Sequence, residues 1–311
     1  MDALAIVLEE PKRIALNRLD IAAPGDQDVV VEIAWSGVST GTERLLWSGT
    51  MPAFPGMGYP LVPGYESIGR VVEAGPASGR AEGDWVFVPG SQCFGAVRGL
   101  FGGSASRVTL PGARVTPVDE NLGERGVLLA LAATAYHAMA NTSVAPDLII
   151  GHGALGRLLA RIAVASGGPA PTVWEINPMR MDGADGYPVI RPEDDARRDY
   201  RAIYDVSGDS SLLDSLVGRL AKGGEIVLAG FYAERLSFNF APAFMKEARL
   251  RIAAEFNPGD LEGVGHLLNS GALSLDGLIT HYSAPDAAGE AYETAFSDAN
   301  CLKMIIDWSA H

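Results

Sequence analysis

Cysteine is almost missing from this chain: two of 311 residues, Cys93 and Cys301, allow neither a disulfide framework nor a Cys-x-x-Cys metal spacing. Both read as unreactive, and a reducing cytoplasmic setting is expected. Positive charge is also scarce. Twenty-four Lys and Arg face thirty-eight Asp and Glu, a net charge of −14 that repels phosphate backbones, so nucleic acid is not an expected partner. Long hydrophobic runs are missing too. The best apolar window, Val127 to Ala140, holds Tyr136 and His137 and is shorter than the roughly 20 residues of a membrane span. No integral membrane segment is expected, and peripheral association stays open. Ala3 to Leu8 follows Asp2 and precedes Glu9 and Glu10, so it lacks the basic flank of a signal peptide and reads as a first strand.

What is present is apolar material, 48% of the chain, enough for about two domains of this length. Up to about Val118 short alternating runs are punctuated by Gly and Pro: Leu4 to Glu9, Val29 to Trp35, Ser67 to Glu73, Trp85 to Val88 and Ser106 to Leu110. Period-two alternation of this kind predicts an all-β unit of barrel type. After Gly123 the pattern alternates helix and strand, which predicts a parallel sheet. Strands are expected at Leu148 to Gly151, Thr172 to Ile176, Ala202 to Val206, Glu225 to Ala229 and Leu250 to Ala254. Between Asn177 and Tyr200 the room for a full crossover helix is lacking, and the charged run Pro192 to Asp199 reads as a solvated loop.

Gly151, Gly153 and Gly156 form a Gly-x-Gly-x-x-Gly that follows an apolar strand and opens a helix. Here the first glycine makes a tight turn, the second admits a pyrophosphate, and the third lets helix and strand pack closely. His152, Ala154 and Leu155 lie within the same turn and helix start, whose amides can hold phosphates. Glu175, nineteen residues after Gly156, can accept both ribose hydroxyls of an adenosine and favours NAD over NADP. Arg180 softens that preference, since it can accommodate a 2′-phosphate. Ser207 and Gly230 follow two later strands, at the sheet edge where such folds bind ligands.

A barrel-type first half, a dinucleotide half and a returning tail resemble the medium-chain dehydrogenase/reductase superfamily over essentially the whole length. The resemblance implies a GroES-like catalytic domain over residues 1–122, a Rossmann domain over 123–256, and a segment 257–311 returning to the catalytic domain. Zinc members carry ligands where this chain has Ser39, Tyr65 and Ala130, so every usual ligand is replaced and no zinc is expected. The lobe of a structural zinc is missing as well, with a short Gln92 to Gly103 loop in its place. The run from Ser36 to Glu66, with Thr40, Thr42, Trp47, Met51, Phe54, Met57 and Tyr59, closely resembles the 3-hydroxyethyl bacteriochlorophyllide a dehydrogenases. That family oxidises a 1-hydroxyethyl group of a magnesium bacteriochlorin to acetyl with NAD as hydride acceptor.

Such a reaction needs an acceptor for the hydroxyl proton and donors for the developing carbonyl. Tyr65 is the first choice for acid/base, with Ser39 or Thr40 as relay and Thr42 beside them, although a phenol near pKa ~10 needs a nearby positive charge. Glu66 either joins them or pairs structurally with an arginine of the nucleotide half. Trp47, Met51, Phe54, Met57 and Tyr59 compose a wall suited to a flat ring, or pack into their own domain. His137 reads as core or interdomain packing, while His152 can face the cofactor. Two alternatives remain open: a zinc-free NADPH quinone or enone reductase, and a non-catalytic nucleotide- and pigment-binding protein. Leu250 to Ala254 can pair across a two-fold axis, which predicts a homodimer.

Overall fold

The computed structural model describes residues 1–140 and 144–310. In chain order the first strands are β1 (Asp2–Glu10), β2 (Arg13–Asp20) and β3 (Asp28–Val38), followed by helix α1 (Thr42–Ser48). Next come β4 (Leu61–Val62), β5 (Ser67–Ala74), β6 (Trp85–Val88), β7 (Arg98–Gly99), β8 (Arg107–Pro111) and β9 (Thr116–Pro117). Helices α2 (Leu129–Met139) and α3 (Ala154–Ala165) flank β10 (Leu148–Ile150). Then follow β11 (Thr172–Trp174), β12 (Val189–Ile190), β13 (Tyr200–Asp205), α4 (Leu213–Arg219), β14 (Leu220–Leu228), α5 (Phe240–Lys246) and β15 (Arg249–Ile252). The chain ends with α6 (Pro258–Asn269), β16 (His281–Ser283), α7 (Ala288–Ser297) and β17 (Met304–Asp307).

Two compact units result, residues 1–130 with 278–311, and residues 131–277. The tail is divided between them: α6 belongs to the second unit, and the chain rejoins the first at Leu278 rather than at 257. In the first unit a four-stranded sheet, β2-β1-β4-β7, accompanies a seven-stranded one in the order β16-β17-β3-β5-β6-β9, with β8 also on β3. Their alternating inner residues, among them Val7, Val31, Val71, Val86, Val108 and Leu110, share one buried core with Tyr292, Ile306 and Trp308 of the tail. Two registers build the site. Antiparallel β17 sets Met304 opposite Val38, while β5 sets Ser67 opposite Ser36. Lys303 and Glu66 therefore both arrive beside the end of β3.

The second unit is a parallel sheet in the order β12-β11-β10-β13-β14-β15, as the alternation predicts. Its order reverses between β10 and β13, whose carboxyl ends open a crevice. No full crossover helix follows β11 or β12; short 3-10 turns at Pro178–Arg180 and Pro192–Asp194 stand there instead. The charged run that reads as a solvated loop is ordered around a buried carboxylate. Asp195 accepts from Trp174 Nε1 at 2.8 Å, Tyr200 Oη at 2.5 Å and the Arg197 amide at 2.7 Å. Arg219 stacks on Trp174, 4.7 Å from its ring centroid, so this strap closes the sheet where a helix is lacking. Strand β2, helix α5 and strand β16 were not anticipated from the pattern. Among the described residues no helix is long and apolar enough to cross a membrane.

Candidate active site

The nucleotide turn is built by backbone. Gly151 leaves β10 at φ 102°, a conformation that L side chains rarely adopt. A Cβ on Gly156 would lie 1.9 Å from the Gly151 carbonyl oxygen, so helix and strand meet at this distance only because no side chain intervenes. Gly153 is the N-cap of α3, and Ala154 and Leu155 begin its first turn, with amide groups unsatisfied by the helix. Ser207 and Gly230 close the crevice: an added Cβ at Gly151 would meet Ser207 Cα at 3.6 Å, and one at Gly230 the Gly208 amide at 3.1 Å. This cradle fits a dinucleotide pyrophosphate.

Glu175 stands at the end of β11 with its carboxylate anchored. It accepts from the Ile176 and Asn177 amides at 2.8 Å each, and from the His152 amide at 2.8 Å. Of about four acceptor positions on a carboxylate, three are used. The His152 ring is turned into the protein, where Nδ1 donates to the Arg180 carbonyl at 2.6 Å and Nε2 accepts from Tyr187 Oη at 2.9 Å. Burial lowers its pKa to about 4, so the ring is neutral. Arg157 ties the loop down by donating to the carbonyls of His152, Arg180 and Asp182. Arg180 extends towards the turn, with one guanidinium nitrogen 3.8 Å from where a Gly153 Cβ would stand. Arg157 and Tyr187 were missed from sequence, since nothing in their spacing marks them. His137 pairs with Asp260 at 2.9 Å, inside the capping box of α6.

The second cluster lies in the first unit and is made of side chains. Ser39 Oγ and Tyr65 Oη are 2.6 Å apart, and Thr42 also bonds the phenol. Ser39 is buried, while Thr40 and Thr42 are half-buried in the same turn. Behind them Lys303 Nζ donates to Glu66 Oε2 at 2.6 Å and to the Val38 carbonyl at 3.3 Å. The partner of Glu66 is thus this lysine of the tail, in the same unit, and not an arginine of the nucleotide half. Glu43, fully buried on α1, accepts from the Ser39 amide at 3.2 Å and from Tyr292 Oη at 2.6 Å. Burial raises Glu43 to about 7, against its hydrogen bond from Tyr292, and Glu66 adds to the rise. Burial and then the Glu66 carboxylate push the Tyr65 phenol well above its ordinary range. The positive charge that a phenolate would need is therefore not what its neighbours supply.

At the positions where zinc relatives carry ligands stand a hydroxyl, a phenol and the buried methyl of Ala130, a donor set that does not fit zinc. Among the described residues no three His, Cys, Asp or Glu gather to hold a metal ion. Of the expected ring-binding wall, Trp47, Met51, Met57 and Tyr59 are half-buried against a cluster of Leu8, Leu46, Leu61 and Leu100. Trp47 also meets Phe296 with ring centroids 5.5 Å apart, and Tyr59 Oη donates to the Leu46 carbonyl. Phe54, 38% exposed, is the aromatic of the group that faces solvent.

Fold and cluster together define an alcohol-dehydrogenase type of chain: residues 25–120 match the alcohol dehydrogenase GroES-like domain family. The 2R,3R-butanediol dehydrogenase structure from Bacillus subtilis superposes with TM-score 0.84 at 19% identity, covering 98% of this chain and 99% of that one. Two curated relatives are far nearer in sequence. The 2-desacetyl-2-hydroxyethyl bacteriochlorophyllide A dehydrogenase of Rhodobacter capsulatus is 59% identical over 99% of both chains. Its namesake from Cereibacter sphaeroides is 58% identical over 100% of this chain and 99% of that one. The chain belongs to this dehydrogenase family, within the medium-chain dehydrogenase/reductases, and is an oxidoreductase.

Proposed function

We propose that this protein oxidises the 1-hydroxyethyl substituent of a bacteriochlorophyllide to acetyl, using NAD and no zinc. The observation that carries this reading is the Ser39–Tyr65 hydroxyl pair, 2.6 Å apart where zinc relatives hold a metal, in a chain 59% identical to a dehydrogenase of that substrate. Bound nicotinamide supplies the hydride acceptor. The chain's residues do the rest: Ser39 and Tyr65 hydrogen-bond the carbinol oxygen, hold it in line, and pass its proton onward. Because neighbouring carboxylates disfavour a phenolate, Tyr65 works as a donor and relay rather than as a resting base. Thr40 and Thr42 line the same turn, and the Lys303–Glu66 pair holds its floor. The conjugated macrocycle spreads positive charge as hydride departs, which lessens the need for a Lewis acid.

For the cofactor, one acceptor position of Glu175 remains for a ribose hydroxyl, and its negative charge repels a 2′-phosphate, which supports NAD. Arg180 beside the turn limits the preference. Phe54, with the exposed edges of Met51 and Met57, offers the pigment an apolar face. A cytoplasmic homodimer completes the reading. Phe240, Phe244 and Ile252 are 72%, 65% and 76% exposed on α5 and the edge strand β15, an apolar face that a second copy would cover. Ile252→Glu should shift the sedimentation mass to that of a monomer; an unchanged mass removes this interface.

The test is anaerobic incubation of chelator-treated protein with the hydroxyethyl pigment and NAD or NADP, following pigment and NADH bands together. Matched conversion with NAD is expected, and Tyr65→Phe should lower kcat on the order of 100-fold with cofactor affinity unchanged. Pigment binding with no change in either band would leave a carrier, and turnover restricted to NADPH and an enone a reductase.

A further inference from the structure

The hydroxyl pair sits over an unusual charge balance. Two fully buried carboxyl groups, Glu43 and Glu66, flank it, and one buried ammonium group, Lys303, is present to offset them. Lys303 is committed to Glu66 at 2.6 Å, while Glu66 Oε1 is buried without a hydrogen-bond partner. Glu43 faces Tyr292 of α7, the Ser39 amide of its own turn, and the charges of Glu66 and Lys303 from two further segments. It touches the turn that carries Ser39, and its charge is felt at Tyr65.

We propose that Glu43 is a positioning residue of the dehydrogenase, a buried proton-binding group whose ionisation makes the Ser39–Tyr65 pair able to accept the substrate's hydroxyl proton. The inference rests on the alcohol-dehydrogenase reading above. In the oxidation the carbinol C–H bond breaks with its electron pair going to the nicotinamide, and the O–H proton leaves through the hydroxyl pair to solvent. A net negative charge behind the pair raises its basicity and stabilises the positive charge that grows on the substrate. With Glu43 protonated, Lys303 and Glu66 cancel and that assistance is lost. With Glu43 ionised, one negative charge is left over, and the Tyr292 hydroxyl and Ser39 amide hold the carboxylate in place.

Burial raises Glu43 to about 7, so oxidation should be slow below that pH, rising about tenfold per unit, and level off above it. Reduction of the acetyl pigment by NADH should show the opposite limb. Glu43→Gln keeps the acceptor for the Ser39 amide but never ionises, so its rate should lie near the acid-side rate of the wild type and lose the limb. Tyr292→Phe removes a hydrogen bond that lowers the Glu43 pKa, so the limb should move to higher pH. A Glu43→Gln enzyme that folds and retains the same limb would overturn the proposal. Infrared spectroscopy of the protein without substrate gives a second reading that does not depend on turnover. A carboxylic-acid carbonyl band should titrate near pH 7 in the wild type and at higher pH in Tyr292→Phe. Absence of such a band overturns the proposal even if the glutamine variant does not fold. Loss of pigment turnover in the wild type, with the band present, would overturn the dehydrogenase reading instead.

Discussion

At the nucleotide turn the chain puts bare backbone where a ligand must come close, whereas around Ser39 it stacks side chains over buried charge. The first arrangement is local: Gly151, Gly156 and Glu175 lie within one strand, helix and strand, and their geometry follows from what a Cβ would strike. The second is assembled from distant segments, with Tyr292 bonded to Glu43 across 249 residues of sequence and Lys303 to Glu66 across 237. Backbone recognition tolerates varied neighbours but no side chain at the closest points. Side-chain chemistry tolerates varied backbone, but each buried charge needs a hydrogen bond or an opposite charge beside it.

Lys303→Met tests the second half of that contrast and should have the largest effect. It leaves two buried carboxyl groups without their cation, for which a loss of roughly 3–5 kcal/mol is expected. In a unit of this size that lowers Tm by about 10 °C or more. Adding Glu66→Gln should recover much of the loss, because the penalty is the stranded charge and not missing bulk. If the single variant melts like the wild type, the pair does not hold the floor of the site. Gly156→Ala tests the first half. A methyl group 1.9 Å from the Gly151 carbonyl forces backbone apart, at about 1–3 kcal/mol, so the NAD Kd should rise about 10–100-fold. Calorimetric titration would show it, and unchanged affinity would mean that the close approach plays no part in binding.

The same contrast explains what was legible beforehand. The parallel sheet, the glycine turn and the place of Glu175 follow from periodicity and spacing, because each is a short-range demand of the backbone. Ser39 and Tyr65 were found by resemblance, and their mutual hydrogen bond was not visible. Lys303, a lone cation before a strand, carries no local sign of its destiny, since only the register of β17 on β3 brings it to Glu66. Strand β2 was hidden because it is an edge strand with Arg13, Asn17 and Arg18 among its apolar residues. The run from Pro192 to Asp199 is largely the solvated loop its charges imply, with Glu193, Asp194, Arg197, Arg198 and Asp199 exposed. What the charges hide is Asp195, buried as the acceptor that ties Trp174 and Tyr200 together.

The smallest expected effect is the wild type's own response to pH, in which buried groups of the two regions offset each other. Glu43 is raised in the folded state from 4.5 to about 7, so the stability it contributes is present below pH 4.5 and is lost as pH climbs through 7. A shift of that size corresponds to about 3 kcal/mol. His152 is lowered from 6.5 to about 4, so its neutral ring supports the fold above pH 6.5 and fails as pH falls towards 4. Between pH 4.5 and 6.5 the two slopes oppose each other, and the wild-type melting temperature should vary little there. Glu43→Gln removes the first slope and should uncover a rise of Tm with pH across that window. His152→Gln, which keeps polar atoms near Tyr187, should uncover a fall instead. Thermal melts at unit pH steps decide the matter, and parallel curves for the two variants would show that neither buried group carries the linkage assigned to it.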